Sequence, residues 1–312
     1  MNELISVIMS TYNEEENWIR EAVESILNQS YHNLEFIIVI DNPENHLIHD
    51  VLYEYGKKDK RITILPNEKN LGLIKSLNKA ISHTKGNWIA RMDADDIAKP
   101  NRLECELSYA KENNIDFIMS HADTINEFDT ITVEKTKQAL DTNKFKEMAG
   151  FCNISTHPTW LLKKEVYKTL NGYRNINSCE DYDFVLRALQ KGYTCYKMEE
   201  KLLYYRVRAN SITRSNVLEQ FMKSKYLRMK YQKNISINSI TEKEVSDYYL
   251  SISENDKEKF KNSFLIFQKI KPNLNKFSNL IILLKQLITS KYFRIYFIDN
   301  AKWVRISNKN GI

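Results

Sequence analysis

The chain has 312 residues, 42% hydrophobic, 28% charged and 11% aromatic, a globular balance that excludes a chain disordered along its length. Seven glycines exclude collagen-like and glycine-rich architectures, and their positions permit neither a G-x-G-x-x-G nor a Walker loop, so any nucleotide must be held another way. The formal net charge of +6 is too small to announce nucleic-acid binding, and +5 of it falls within residues 277–312.

Cys105, Cys152, Cys179 and Cys195 form no C-x-x-C pair, and the six histidines show no zinc spacing. Reduced cysteines in the cytoplasm are therefore expected. The N-terminus opens acidic and without a basic n-region, which predicts no secretory signal. Even the most apolar stretch, residues 277–298, is broken by Lys285, Lys291 and Arg294, so no span of the ~18 apolar residues that cross a bilayer is expected.

In chain order, short β-branched runs predict strands over 4–10, 35–41, 62–65, 88–92 and 116–120. A helix between the first two carries Trp18, Ile19, Ala22, Val23, Ile26 and Leu27 on one face, with Asn13 as its expected cap. Leu73, Ile74, Leu77, Ala80 and Ile81 repeat that pattern before Gly86. Pro100 reads as the first-turn proline of a helix running to about Asn113. Beyond 131 the alternation loosens into an apolar run over 159–162, helices over 163–170 and 181–190, and a strand over 202–207. From 215 the chain reads almost wholly helical. Alternating strands and helices predict an α/β domain around a mostly parallel sheet over 1–212, followed by a helical region over 213–312.

The sharpest local feature is Arg91-Met92-Asp93-Ala94-Asp95-Asp96, three carboxylates directly after an apolar strand, where open α/β sheets place their ligand crevice. Carboxylates this close repel one another unless a cation neutralises them, which suggests Mg²⁺ or Mn²⁺ shared with substrate phosphates; a solvated acidic turn is the alternative. Ile97 and Ala98 fail the EF-hand pattern. Asp93-x-Asp95 also fits a magnesium-dependent phosphatase with Asp93 as nucleophile, although Ile97 and the motif's distance from the N-terminus depart from that type. The first two strands end in Ser10-Thr11-Tyr12-Asn13-Glu14 and Ile38-Val39-Ile40-Asp41-Asn42, and both ends face the same crevice. A Tyr ring to stack on a base and an Asp to accept from a uracil N–H would form a pocket there without glycines; ordinary turn chemistry is the alternative.

As an ordered set, Ser-Thr-Tyr-Asn after strand one, Asp41 after strand two, Asn70-Leu71-Gly72 followed by Asn78, Asp93-Ala94-Asp95-Asp96, and Glu180-Asp181 resemble the family 2 inverting glycosyltransferases of the GT-A fold, over about residues 4–212. The resemblance implies that Thr11, Tyr12, Asn13, Asp41, Asn70 and Gly72 line the nucleotide pocket with Asp93 on its ribose side. It implies that Asp95 holds the metal and that Asp96 borders the donor sugar or acceptor. Asp181 falls where the family keeps its general base, and Glu180 beside it orients the site or touches the acceptor. His157 resembles a position near the acceptor, and Tyr205-Arg206 with Asn210-Ser211 resembles a loop from which Arg206 or Arg208 approaches the diphosphate. Ile40-Asp41-Asn42-Pro43 departs from the family's Asp-Asp-Gly-Ser, and no Gln-x-x-Arg-Trp occurs, which points away from a processive synthase.

The implied activity is non-processive, metal-assisted hexosyl transfer with inversion from a UDP-sugar to a saccharide acceptor, lipid-linked, in bacterial capsule, O-antigen or exopolysaccharide assembly. A catalytically idle saccharide- or membrane-binding protein on the same fold is the reading from another class. The basic tail over 277–312, with its aliphatic and aromatic residues, has the make-up of an interfacial helix on an anionic membrane face, which would make the protein peripheral to that membrane. The competing expectation is ordinary core packing against the catalytic domain.

Overall fold

The computed structural model describes residues 3–132, 137–208 and 216–310. The chain divides into two compact units, Met1–Ser211 and Ile212–Ile312. Asn210 and Ser211 lie outside the described residues, as does the expected domain boundary at 212.

The first unit is built on one nine-stranded sheet. Its strands are β1 (Ile5–Thr11), β2 (Leu34–Ile40), β3 (Ile62–Pro66), β4 (Trp88–Asp93), β5 (Ile97–Ala98), β6 (Phe117–Ile125), β7 (Ile131–Thr132), β8 (Leu161–Lys163) and β9 (Cys195–Arg206). They lie in the order β3-β2-β1-β4-β8-β6-β9-β5, with β7 paired to β6. The β3-β2-β1-β4 half is parallel throughout, β6 runs parallel to β9, and β8 and β5 are antiparallel to their neighbours. β1 is flanked on one side by β2 and on the other by β4, so the strand order reverses beside it; such a switch point opens a crevice at the carboxyl ends of the strands.

Helices cover the sheet because their apolar stripes have nowhere else to go. Between β1 and β2, α1 (Glu16–Leu27) buries Ile19, Ala22, Val23 and Ile26, the face its periodicity predicts. Its cap is Glu15 without a side-chain bond, and Asn13 lies outside the helix. The Asn13 side-chain oxygen instead accepts from Asn42 Nδ2 at 2.6 Å, tying the β1 end to the β2 end. Residues 46–58, unassigned by the sequence, form α2 (His46–Lys58), which buries Ile48, Val51 and Leu52 and is capped by Asn45. There follow α3 (Leu73–Ser82), α4 (Arg102–Glu112), α5 (Thr142–Ala149), α6 (Lys164–Thr169) and α7 (Glu180–Gln190). Pro100 stands two residues before α4, whose cap is Asn101, so it precedes the first turn rather than occupying it. β6 and β9 extend well past the runs read from sequence. Their pairing shifts register around His121, and side chains on both faces are buried, which masks the strand periodicity.

The second unit contains α8 (Val217–Gln232), α9 (Glu242–Leu250), α10 (Glu254–Ile270), α11 (Phe277–Thr289) and α12 (Lys291–Asn310). Leu218, Met222, Ile252, Phe260, Ile270, Leu283 and Phe293 form its core. Tyr292, Tyr296 and Phe297 pack against that core, and the rings of Phe293, Tyr296 and Phe297 close on Phe260, Phe264 and Phe267 in the same bundle, which corrects the reading of the tail aromatics as membrane-facing. Asp299 accepts from both Lys225 at 2.6 Å and Arg228 at 2.7 Å, joining α12 to α8. Among the described residues no helix is long and apolar enough to cross a membrane.

Candidate active site

Register brings the candidate residues together before any side chain is considered. Ser10 pairs with Asp93 and Thr11 with Ile40, so Tyr12, Asp41 and the Asp93 cluster sit at three adjacent strand ends. Parallel strands lie about 4.8 Å apart, which spreads these ends over the width of a nucleoside.

On the β2 side, Asp41 is buried and braces the next loop. Its Oδ1 accepts from Asn67 Nδ2 at 2.7 Å and from the Leu71 N–H at 2.8 Å, and its Oδ2 accepts from the Gly72 N–H at 2.8 Å. Gly72 has φ +82°, a conformation that aims its N–H at the carboxylate and that a side chain would strain. Asn70 folds the same turn by accepting from the Gly72 N–H at 2.9 Å. Three bonds leave the carboxylate with one acceptor position to spare. Asn67, which the sequence did not single out, holds Asp41 and is itself held by Lys79 at 2.8 Å. On the β1 side, Thr11 Oγ1 and the Tyr12 N–H both donate to Glu14 Oε2, at 2.6 and 2.8 Å, and the Tyr12 side chain is 43% exposed.

After β4, one carboxylate oxygen from each of Asp93, Asp95 and Asp96 lies within 4.8 Å of the others. Asp93 is ion-paired to Arg91, Asp95 Oδ2 to Arg208 at 2.7 Å, and Asp96 Oδ1 accepts from the Arg206 N–H at 2.8 Å. Asp96 Oδ2 is buried with no hydrogen-bond partner among the described residues. An orphaned hard oxygen beside two further carboxylates is a donor set that fits a divalent cation. The electrostatics agree. Burial and the Asp93 charge push Asp95 up to about 6, and burial with the charges of Asp93 and Asp95 pushes Asp96 well above the carboxylate range.

Those shifts give a prediction. Carboxylates with raised pKa values favour the fold while protonated, and that contribution fades as pH rises through about 6, above which a bound cation would take the proton's place. Mn²⁺ should therefore raise the melting temperature clearly at pH 7.5 and little at pH 5. Equal shifts at both pH values would count against a cation at this cluster.

Arg91 is the buried cation around which the site is arranged. Burial opposes its charge, but Asp93 outweighs that and holds its pKa above the ordinary arginine range. The same guanidinium acts on Asp96, Glu180, Asp181 and His157, so the β4 cluster and the start of α7 belong to one electrostatic unit. Arg206 is committed to the framework. Its buried side chain donates to the Asp95 carbonyl at 2.8 Å and Glu21 at 2.7 Å and pairs with Asp129. Arg208 is partly exposed, and its Nε has no partner among the described residues.

Glu180 and Asp181 stand in the first turn of α7, where the helix dipole favours negative charge. Asp181 accepts from Asn153 Nδ2 at 2.6 Å and from the Tyr182 N–H at 2.7 Å, yet burial still raises its pKa. Burial and the Asp181 charge push Glu180 up to about 7. His157 Nε2 lies 2.8 Å from the Tyr173 hydroxyl, against Trp160, and burial with the Arg91 charge keeps its pKa well below the usual histidine value. Asn78 clamps the backbone of Tyr173 on both sides, accepting from its N–H at 2.9 Å and donating to its carbonyl at 2.8 Å. Asn153 carried no sequence signal, because it is a lone polar residue in an irregular loop.

A sheet with its switch point beside β1, an acidic cluster beside that point and a raised carboxylate pair linked to it through Arg91 form a candidate site for a ligand and for proton transfer. Residues 6–170 match the family model for glycosyl transferase family 2. The chain is 37% identical over 235 residues to an uncharacterised glycosyltransferase of Methanocaldococcus jannaschii, covering 74% of this chain and 80% of that one. It is 30% identical to the O-antigen biosynthesis glycosyltransferase WbnJ of Escherichia coli, covering 76% and 92%, and 32% identical to the amylovoran biosynthesis glycosyltransferase AmsE of Erwinia amylovora, covering 67% and 77%. The crystal structure of Staphylococcus aureus TarS residues 1–349 in complex with UDP-GlcNAc superposes with a TM-score of 0.60 at 18% identity, over 91% of this chain and 79% of that one. The chain belongs to glycosyl transferase family 2, and its fold is GT-A.

Proposed function

We propose that the protein transfers one hexosyl unit per encounter, with inversion, from a UDP-sugar to a lipid-linked saccharide acceptor during surface polysaccharide assembly. The observation that carries this reading is the convergence of Asp41, Tyr12 and the Asp93-Asp95-Asp96 cluster on one crevice, with Asp181 joined to them through Arg91. The UDP-GlcNAc bound by TarS and the O-antigen and amylovoran pathways of the relatives support the donor and acceptor classes.

In this mechanism Tyr12 stacks on uracil, Asp41 accepts from its N3–H with its remaining lone pair, and Asp93 meets the ribose. Asp95, with Asp96 beside it, would hold Mn²⁺ or Mg²⁺, which supplies charge neutralisation to the diphosphate. Arg208, partly exposed and paired with Asp95, would add its charge to the same oxygens as UDP departs. Asp181 takes the proton from the acceptor hydroxyl as that oxygen attacks the anomeric carbon from the face opposite UDP. Asn153 fixes the Asp181 carboxylate and Glu180 borders the acceptor. His157, held neutral, shapes the acceptor side through Tyr173. Family membership leaves the phosphatase reading without footing, and the raised carboxylates argue against an idle site, since groups held at such cost are kept for chemistry. The membrane carrying the acceptor is read as the inner, cytoplasmic face, with the protein peripheral to it.

A panel of UDP-sugars, incubated with saccharide acceptors and followed by NMR of the anomeric proton, tests this reading. Inverted product from at least one donor is expected, and product with retained configuration would overturn the assignment of Asp181. Asn153→Ala should lower turnover about tenfold by freeing the base while leaving UDP affinity unchanged. An unchanged turnover would remove Asn153 from the site.

A further inference from the structure

The helical unit presents a surface that its own core does not use. α11 is fixed by one side: Leu283 and Gln286 are buried, and Gln286 Oε1 accepts from Ser263 of α10 at 3.0 Å. The opposite side carries Phe277, Ile281, Leu284 and Ile288, spaced so that they line one stripe about 16 Å long. These side chains are 77%, 53%, 57% and 76% exposed. A globular helix normally turns its apolar stripe inward, and a continuous exposed one marks a contact surface.

Charge identifies the occupant. Residues 259–298 contain no Asp or Glu and eight cations: Lys259, Lys261, Lys269, Lys271, Lys276, Lys285, Lys291 and Arg294. All eight are exposed, and none forms an ion pair with an acidic group among the described residues. Lys285 lies on the flank of the stripe, one residue past Leu284, where an ammonium reaches headgroups while its stem lies along apolar surface. A second copy docked by the same face would set eight cations against eight. An anionic bilayer satisfies both features, taking the aliphatic row into the acyl boundary and the cations at the phosphates.

We propose that the outer face of α11, with Lys276 at its start, Lys285 on its flank and Lys291 at the start of α12, docks the protein onto an anionic lipid bilayer. This deepens the membrane side of the function proposed above and rests on it only for the reason such docking is useful. The test is co-sedimentation of the full chain, without donor or acceptor, with vesicles of phosphatidylglycerol and phosphatidylcholine or of phosphatidylcholine alone. Binding to the anionic vesicles at least tenfold tighter than to the neutral ones is expected. Ile281→Asp with Ile288→Asp should lower that binding at least tenfold, and Lys285→Glu with Lys291→Glu several-fold, both with an unchanged melting curve. Equal binding to both vesicle types, or anionic binding unchanged by either variant, would overturn the proposal. So would a wild-type dimer in sedimentation velocity that the Ile281→Asp, Ile288→Asp variant splits, since the face would then belong to a second copy. UDP titration of the same preparations reads the catalytic unit separately, so failure of docking and failure of the transferase reading give different results.

Discussion

Asp181→Asn should lower transfer by a factor of about 10² to 10⁴, the usual worth of a positioned general base, while UDP binds with nearly wild-type affinity. The amide keeps the size of the side chain and its oxygen can still accept from the Tyr182 N–H at the start of α7, so the fold should survive. What it loses is the ability to take a proton. The wild-type rate should also carry an acid limb. Burial raises Asp181 above its ordinary value and Glu180 beside it to about 7, so protonation removes the base as pH falls, and turnover should climb as pH rises through about 7 and level off above it. The limb belongs to the pair and not to either residue alone. Wild-type-like turnover in Asp181→Asn would refute the assignment.

Asp95→Ala should abolish metal-dependent donor binding. Asp95 is the member of the cluster paired with Arg208, and its loss removes the proposed cation ligand and frees that arginine at the same time. The expected signature is UDP affinity at least tenfold weaker and no longer changed by EDTA, with a stable fold because mutual repulsion among Asp93, Asp95 and Asp96 is relieved. If the wild-type enzyme turns over equally well in EDTA, the role assigned to Asp95 is wrong.

The parallel half of the sheet was legible because its strands are short, β-branched and separated by helices with clear apolar faces. Ile5–Thr11 and Leu34–Ile40 fall within a residue or so of the runs read from sequence. The second half was legible only in fragments. β6 and β9 are buried on both faces and shift register at His121, so neither shows simple alternation, and β5 and β7 are two residues each. At the site, Thr11, Asp41 and the Asp93 cluster announced themselves because each ends a strand. Asn153 and Asn67 did not, because what makes them matter is a hydrogen bond to a residue 28 or 26 positions away. Arg91 was visible within its motif, but its central position depends on the tertiary fold bringing Glu180 and Asp181 within reach of its charge. In the tail, composition revealed the basic, apolar character, and only the helices separate the aromatics that build the core from the α11 row that faces outward.

This crevice is expected to bind uridine diphosphate through the carboxylate cluster. Calorimetric titration of the purified protein with UDP, in Mn²⁺ and again in EDTA, with GDP and CMP as controls, tests it most directly. Binding that is selective for UDP and lost in EDTA is the predicted result. Equal affinity for all three nucleotides, or no binding in the presence of Mn²⁺, would contradict it.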